Sequence, residues 1–300
     1  MHDGSRWPGR LAATLLIAFA SLGARAATID KAYEFDEGKD RRSYVVSRPD
    51  TCRQDCPLVL DLHGHGGSAE MQGRHSGLRA SAERNGFVAV FADGLHSSWN
   101  GGSGPYGACC GVALKQHADD VAFLRHVVEH VAGDFPIDRA RIYVTGWSNG
   151  CAMAQRLVAE ASDVFAAAAC TGHYLLTMQK SLPRPVSVTE IHALDDPVIE
   201  YREQDRFTGA RENAARWAAL DHCRPTPTHA RLGGGSDVAT YEDCADGVRV
   251  RLVTLARSGH DAYANGDGVD VAQLVWDSVR EARLPPPQPR LSTRAASSAK

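Results

Sequence analysis

A Gly-x-Ser-x-Gly pentapeptide at residues 146–150 constrains this chain more than any other stretch of its sequence. The β-branched and aromatic run Arg141-Ile-Tyr-Val-Thr predicts a strand before it, and the amphipathic run from Met153 to Val158 predicts a helix after it. A strand, this pentapeptide and a helix in succession are typical of a nucleophile elbow, a sharp turn that lifts a serine hydroxyl above the edge of a sheet. The sequence therefore predicts a catalytic nucleophile at Ser148.

Two backbone amides are candidates for an oxyanion hole. We expect the N–H of Asn149, at the start of the predicted helix, to face a developing oxyanion. The loop His63-Gly-His65-Gly-Gly follows an apolar, strand-like run, where folds with this elbow supply a second donor. We assign that donor to the amide of His65, with Gly66 as the alternative. His-x-His can also chelate zinc, but binuclear metallohydrolases continue with Asp and His, whereas Gly-Gly-Ser follows here.

A serine nucleophile needs a general base, and the base needs a group that orients it. The pair Asp195-Asp196 follows the strand-like run Val186–His192, and His260 follows the last strand-like run, Val248–Leu255. Serine, acid and histidine thus occur in the chain order that α/β-hydrolases use. We predict that His260 is the base and Asp196 its orienting carboxylate. Asp195 is the alternative, because sequence does not say which neighbour points inward.

Three aromatic residues near these motifs are candidates for substrate binding. Trp99 lies in a glycine-rich segment, Trp147 precedes the nucleophile, and Tyr263 follows His260. Aromatic rings at such positions can form a platform for a substrate. Core packing is the competing interpretation, and for Trp147 the two have similar weight.

Alternation of predicted strands and helices indicates an α/β fold with a mainly parallel sheet covered by helices on both faces. Active-site residues then lie at the carboxyl ends of the strands. The predicted elements are a hairpin over 28–48 at one sheet edge, strands at 57–63, 87–92, 141–145, 165–170, 186–192 and 248–255, helices at 70–85, 118–132 with Gly133 as its cap, 212–220 and 269–281, and a long irregular segment over 93–115.

The two ends of the chain differ from its centre. Residues 1–26 predict a signal peptide: two arginines, an apolar stretch too short to span a bilayer, and Ala24-Arg25-Ala26 as a cleavage site. Residues 27–284 are the predicted catalytic domain, and 285–300 form a Pro-, Ser- and Ala-rich tail that we expect to be disordered. The formal net charge of −3, with no basic stripe, argues against nucleic-acid binding. We expect a secreted protein.

Eight cysteines, all after the predicted cleavage site, indicate disulfides in an exported chain. Cys52 with Cys56 and Cys223 with Cys244 would each close a short loop. Adjacent cysteines rarely bond each other, so we expect Cys109 and Cys110 to pair with Cys151 or Cys170. A zinc site is the alternative, but the paired C-x-x-C spacing of such sites is missing from the sequence.

Several linked motifs resemble those of secreted esterases of the polyhydroxybutyrate depolymerase and feruloyl esterase group. The resemblance covers about residues 30–284 and is carried by Leu60-Asp-Leu-His-Gly-His-Gly-Gly-Ser, Trp99-Asn-Gly-Gly, Cys109-Cys-Gly, Asp119-Asp-Val-Ala-Phe-Leu, Gly146-Trp-Ser-Asn-Gly, Asp196-Pro, Cys223, Cys244 and Gly259-His. It implies an α/β-hydrolase fold, a triad at Ser148, Asp196 and His260, and no metal or organic cofactor. The expected substrate is an aromatic plant-wall ester or a hydroxyalkanoate oligomer.

Two departures from that group affect the expected substrate. Many relatives have an aromatic-Pro-Gly turn after the Gly-His, whereas Asp261-Ala-Tyr-Ala-Asn follows here. Depolymerases that attack solid polymer carry a linker and a polymer-binding domain, for which we see no room. Soluble oligomers or plant-wall esters are therefore favoured over solid polyester.

Two other functions are alternatives to a secreted esterase. One is a serine peptidase of the same fold, which usually brings a gating domain. The other is a non-catalytic polymer- or carbohydrate-binding protein on a hydrolase scaffold.

Overall fold

A computed structural model describes residues 28–37, 40–203, 208–264 and 268–286. The predicted signal peptide and all but the first two residues of the predicted tail lie outside these ranges, so both stay predictions. No helix in the described ranges is long and apolar enough to cross a membrane.

A ten-stranded sheet forms the centre of the fold, in the order β1-β2-β4-β3-β7-β8-β9-β12-β11-β10. The six middle strands of the sheet are parallel to one another; in sheet order they are β4, β3, β7, β8, β9 and β12. The ten strands are β1 Thr28–Glu37, β2 Asp40–Pro49, β3 Cys56–Leu62, β4 Val88–Ala92, β7 Ile137–Gly146, β8 Ala167–Thr171, β9 Ser187–Ala193, β10 Thr228–Arg231, β11 Asp237–Tyr241 and β12 Val250–Leu255; a separate ribbon pairs β5 Ser103–Gly104 with β6 Gly107–Ala108.

In the described ranges, seven α-helices pack around this sheet and cover both of its faces, as an α/β fold requires. They are α1 Ala69–His75, α2 Leu78–Asn85, α3 Gly111–Lys115, α4 Asp120–Asp134, α5 Asn149–Ala161, α6 Ala210–Leu220 and α7 Val271–Val279. Phe123, Leu157 and Trp217 bring α4, α5 and α6 into the core of one face. Leu78 and Val275 bring α2 and α7 into the core of the other. The predicted fold class is confirmed.

Antiparallel hairpins form both edges of the sheet. The predicted hairpin at the first edge is confirmed: β1 pairs with β2 from Thr28 opposite Pro49, and β2 pairs with β4. The second edge, β11 and β10, was not predicted. All four residues of β10 are exposed, so its sequence lacks the apolar alternation by which a half-buried strand is recognised.

Two helix predictions need correction. The helix predicted over 70–85 is two helices, α1 and α2, because Gly77 has a left-handed φ of 73° that no continuous helix contains. Gly133 is not the cap of α4. The helix continues through it to Asp134, and Phe135 is the capping residue.

The disulfide pattern confirms two predicted pairs and corrects the rest. Cys52 bonds Cys56 and Cys223 bonds Cys244. Cys109 bonds its neighbour Cys110, and Cys151 bonds Cys170. The expected pairing of the adjacent cysteines with Cys151 or Cys170 is wrong. Cys151 on α5 and Cys170 on β8 already face each other in the core, because α5 packs on β8.

A buried carboxyl, Asp61 on β3, lies beneath the carboxyl edge of the sheet. Its Oδ1 accepts a hydrogen bond of 2.8 Å from Gln72 Nε2 on α1. Burial raises the pKa of Asp61 from 3.8 to about 6. As pH rises, the Asp61 carboxyl loses its proton in the unfolded chain before it does so in the folded protein. The free energy of unfolding therefore decreases between about pH 4 and pH 6.

We expect Asp61→Asn to stabilise the protein at neutral pH. Asparagine keeps an acceptor for Gln72 and has no charge to bury, so the gain should be absent near pH 4 and approach about 3 kcal/mol above pH 6.5. Urea unfolding of both proteins at pH 4 and pH 7.5 measures this. An equal stability difference at the two pH values would contradict the protonation argument.

Candidate active site

The turn between β7 and α5 has the geometry of a nucleophile elbow. Ser148 has φ 55° and ψ −121°, a strained combination for a residue with a side chain. Its N–H donates to Thr171 O on β8 at 2.9 Å. A Cβ at Gly146 would lie 2.6 Å from the Gly150 backbone, and a Cβ at Gly150 would lie 2.0 Å from Leu62 O. Both glycines are therefore required by close backbone contacts.

Ser148, His260 and Asp196 form one hydrogen-bonded series. His260 Nε2 lies 2.9 Å from Ser148 Oγ, and His260 Nδ1 lies 2.8 Å from Asp196 Oδ2. Because the carboxylate accepts from Nδ1–H, Nε2 is left to accept the serine proton. The serine and the histidine are partly exposed, whereas the aspartate is buried. The structure thus brings together the three residues selected from the sequence.

The two adjacent aspartates hold different parts of this series. Asp196 Oδ1 accepts from the N–H groups of Val198 and Ile199 at 2.8 and 2.9 Å. Burial opposes its ionisation, but hydrogen bonds from His192, His260 and Val198 hold the pKa of this carboxyl well below its usual range. Asp195 is exposed, and its Oδ1 accepts from Gly259 N at 2.8 Å. Asp195 therefore fixes the turn before His260, and Asp196 contacts the imidazole.

A second histidine, His192 at the end of β9, was missed by the sequence analysis. Its Nε2 lies 2.7 Å from Ile199 O and 3.3 Å from Asp196 Oδ2, and its Nδ1 lies 3.0 Å from Glu190 Oε1. A carbonyl oxygen only accepts, so Nε2 carries a proton. Burial disfavours the cation, yet the hydrogen bonds that its ring donates to Asp196 and Glu190 raise the pKa of His192 to about 9.

The signal for this pair was present in the strand sequence. Glu190 and His192 are two residues apart in a strand, so they share one face of it. Both side chains are buried, and a buried ionisable pair needs hydrogen-bond partners. That pattern pointed to a partner for the neighbouring aspartate.

The two backbone amides predicted for the oxyanion hole remain available. Within the described residues, the N–H groups of His65 and Asn149 have no hydrogen-bond acceptor. The Gly66 N–H donates to Ser97 O at 2.8 Å. Gly66 as the alternative oxyanion donor is therefore wrong, because its N–H is already used.

His63 supports the loop that carries His65. It is buried, its Nε2 accepts from Gly94 N at 2.9 Å, and its Nδ1 therefore donates to Gly64 O at 2.8 Å. Burial lowers the pKa of His63, which keeps the ring neutral. Both ring nitrogens are thus occupied by protein hydrogen bonds. In the described ranges no group of three or more His, Cys, Asp or Glu is placed to hold a metal ion.

Trp99 lies in the core and is not a substrate platform. Its side chain is fully buried, and the indole Nε1 donates to His63 O at 3.1 Å. Its backbone N–H donates to Asn149 Oδ1 at 2.7 Å, and Asn149 Nδ2 donates back to Trp99 O at 2.9 Å. Because these bonds tie the Trp99 segment to the loop after β3 and to the start of α5, its role is structural, and the substrate-binding prediction for Trp99 is corrected.

Trp147 is half-buried at the wall of a cleft of about 490 Å³ that is also lined by Asp261, the chain neighbour of His260. Its Nε1 donates to His260 O at 2.7 Å, and its ring centroid lies 5.7 Å from that of His75. Tyr263 packs its ring edge against His75, with centroids 5.6 Å apart, and buries its hydroxyl. Of the three predicted aromatic residues, Trp147 therefore lines the cleft, and Tyr263 packs against His75, which lines it as well.

Comparison with known proteins relates the chain to hydrolases. Residues 80–212 match the prolyl oligopeptidase family. Feruloyl esterase B of Piromyces equi is 29% identical over 264 residues, which cover 81% of this chain and 46% of that protein. The putative esterase NocK of Nocardia uniformis subsp. tsuyamanensis is 31% identical over 234 residues, covering 68% of this chain and 64% of that protein. The chain thus spans between about half and two thirds of these relatives.

Solved structures give the same fold. The acetyl xylan esterase from Aspergillus awamori has a TM-score of 0.58 at 13% identity, covering 79% of this chain and 97% of that protein. A ferulic acid esterase has a TM-score of 0.52 at 12% identity, covering 85% of this chain and 98% of that protein. The fold defines the chain as an α/β-hydrolase. Its sequence is similar to esterases over 68–81% of its length.

Proposed function

We propose that the protein is a secreted serine hydrolase of carboxylic esters. The observation that carries this proposal is the continuous series from Ser148 Oγ through His260 to Asp196 at the carboxyl edge of the sheet. Such a series converts a weakly nucleophilic hydroxyl into one that transfers its proton as it attacks. The esterase names of its relatives support the choice of an ester as the reactive group.

The reaction begins with attack of Ser148 Oγ on the ester carbonyl carbon, while His260 Nε2 takes the hydroxyl proton. The charge that forms on the imidazole is stabilised by Asp196 at Nδ1. His260 then donates the proton to the leaving alcohol, and the carbon–oxygen bond of the ester breaks. Water, activated by the same nitrogen, attacks the acyl-serine and releases the acid.

The amides of His65 and Asn149 bind the oxyanion of each tetrahedral intermediate. Both N–H groups lack an acceptor within the described residues. The Asn149 N–H lies at the first position of α5, where the helix dipole favours negative charge. Fixed donors of this kind stabilise the transition state without having to reorganise during the reaction.

The cleft beside Trp147 favours an aromatic acyl or alcohol group, so an aromatic plant-wall ester is the first candidate substrate and a hydroxyalkanoate oligomer the second. The test is kcat/KM on methyl ferulate, on an acetylated xylo-oligosaccharide and on a soluble 3-hydroxybutyrate oligomer. A preference for the ferulate that falls at least about tenfold in Trp147→Ala supports the aromatic assignment. Activity on none of the three would favour the non-catalytic binding protein.

Peptide hydrolysis is the second candidate, because residues 80–212 match the prolyl oligopeptidase family. That range includes Ser148 and Asp196 but not His260 or the His65 loop. Hydrolysis of proline-containing peptide nitroanilides distinguishes the two functions. Under the ester proposal, peptide turnover stays far below ester turnover.

We expect His192→Gln to lower kcat about tenfold or more with little change in KM, since a hydrogen bond to a charged group contributes about 1.5–3 kcal/mol. His192 touches Asp196 and not the substrate, so the loss comes from a less firmly held carboxylate. The midpoint of the acidic limb of the pH–rate profile should also move. A change in thermal stability alone, with an unchanged profile, would contradict a positioning role.

Export is supported by the disulfides, which persist in oxidising compartments. Mass spectrometry of protein recovered from the culture medium or periplasm gives the first residue of the mature chain. Cleavage after Ala26 is the expected result.

A further inference from the structure

A second cavity, of about 460 Å³, lies away from the Trp147 cleft and shares no lining residue with it. Its walls are α6, the segment that leads from β8 toward β9, and the loop that carries Tyr106. A volume of this size falls within the range of about 300–1,000 Å³ that small-molecule sites occupy.

The lining of this cavity is basic although the chain as a whole is acidic. Lys180 and Arg216 line it, and none of its twelve described lining residues is Asp or Glu. The chain carries 36 Asp and Glu against 33 Lys and Arg. A concave surface lined by one sign of charge concentrates ligands of the opposite sign.

Arg216 is fixed in place but has no carboxylate partner. Its Nη2 donates to Leu175 O at 2.9 Å and to Asn213 Oδ1 at 2.8 Å, and the guanidinium carbon lies 3.5 Å from the centroid of the Tyr106 ring. Two other arginines of low exposure pair with carboxylates, Arg42 with Asp120 at 2.5 Å and Arg156 with Glu160 at 2.8 Å, whereas the partly buried Arg184 donates to backbone carbonyl oxygens. Among the described residues, Arg216 forms no such ion pair.

Glu190 favours the charged form of Arg216 without forming an ion pair with it, and a ligand carboxylate would add charge-assisted hydrogen bonds to the same guanidinium. An arginine that is already oriented loses little entropy when it binds a planar carboxylate. Thr177, Gln179 and Ser181 also line the cavity and can exchange hydrogen bonds with hydroxyl groups. The lining therefore suits a ligand that combines one carboxylate with several hydroxyls.

We propose that this cavity binds an acidic sugar, a single uronate ring or the end of a short chain containing one. Arg216 and Lys180 take the carboxylate, and the polar side chains take ring hydroxyls. Binding does not require Ser148 or ester hydrolysis, so this proposal and the proposed function can fail separately.

The experiment is calorimetric titration of the whole protein with galacturonate and with galactose, which differ in the carboxylate. Galacturonate is expected to bind at least about tenfold more tightly, because charge-assisted hydrogen bonds contribute about 1.5–3 kcal/mol. Arg216→Gln should weaken galacturonate binding by about tenfold or more. The Lys180 side chain is exposed, so Lys180→Gln should leave the fold unaltered. It should weaken galacturonate binding about threefold, since exposed ion pairs contribute about 0.2–1 kcal/mol.

Lys115→Gln is the matched control, because Lys115 is exposed on α3 outside the cavity. This variant should bind galacturonate with the affinity of the wild-type protein. Equal affinity for galacturonate and galactose would overturn the proposal, as would full galacturonate binding in both cavity variants. Inorganic phosphate that binds as tightly as galacturonate would overturn the assignment to a sugar, because the hydroxyls would then contribute nothing.

Discussion

Ser148→Ala should lower kcat for ester hydrolysis by about 10⁴–10⁶-fold, the scale on which removing a triad member acts. The loss is this large because the hydroxyl forms the covalent bond to the acyl group and no other described hydroxyl lies beside His260 Nε2. Steady-state kinetics on the best ester, with folding checked by circular dichroism, measures it. Ser278→Ala is the matched control, since its hydroxyl only donates to Leu274 O within α7.

The same position predicts an effect on stability. Glycine adopts the φ of 55° at residue 148 without strain, so Ser148→Gly should be inactive yet more stable than Ser148→Ala by about 1 kcal/mol. Retention of most activity in either variant would remove Ser148 from the mechanism.

The second large effect is expected at Asp196. Asp196→Asn should lower kcat about 10⁴-fold, because an amide favours the wrong imidazole tautomer and cannot stabilise the imidazolium. Asp195→Asn is a matched control on the adjacent residue. An asparagine there keeps an acceptor for Gly259 N, so activity should stay within about threefold of wild type.

The pair of variants tests the geometry directly. Equal losses at both positions would mean that the turn, and not the carboxylate at His260 Nδ1, limits the reaction. A larger loss in Asp195→Asn would reverse the assignment of the acid. Kinetics above pH 7, where Asp196 is fully ionised in the wild-type protein, give the cleanest comparison.

The parts of the site that were predictable depend on local chemistry. Gly146 and Gly150 are required by backbone contacts within one turn, and that requirement is visible as a pentapeptide. The strands around it follow from nearly continuous apolar runs such as Cys56–Leu62, which only Asp61 interrupts and in which every residue is buried.

The parts that were missed depend on contacts between distant segments. The sequence marks Trp99 as an aromatic residue in a glycine-rich loop, but its burial results from hydrogen bonds to His63 and Asn149. The pairing of Cys151 with Cys170 results from the packing of α5 on β8. Neither contact has a signature in the spacing of the residues along the chain.

Covalent labelling of Ser148 tests the central claim most directly. The protein is treated with a fluorophosphonate ester, and its intact mass and peptides are then measured by mass spectrometry. The proposal predicts one adduct per chain, on the peptide that contains Ser148, abolished in Ser148→Ala and slowed in Asp196→Asn. An unlabelled protein that is correctly folded, or an adduct on a different residue, would contradict it.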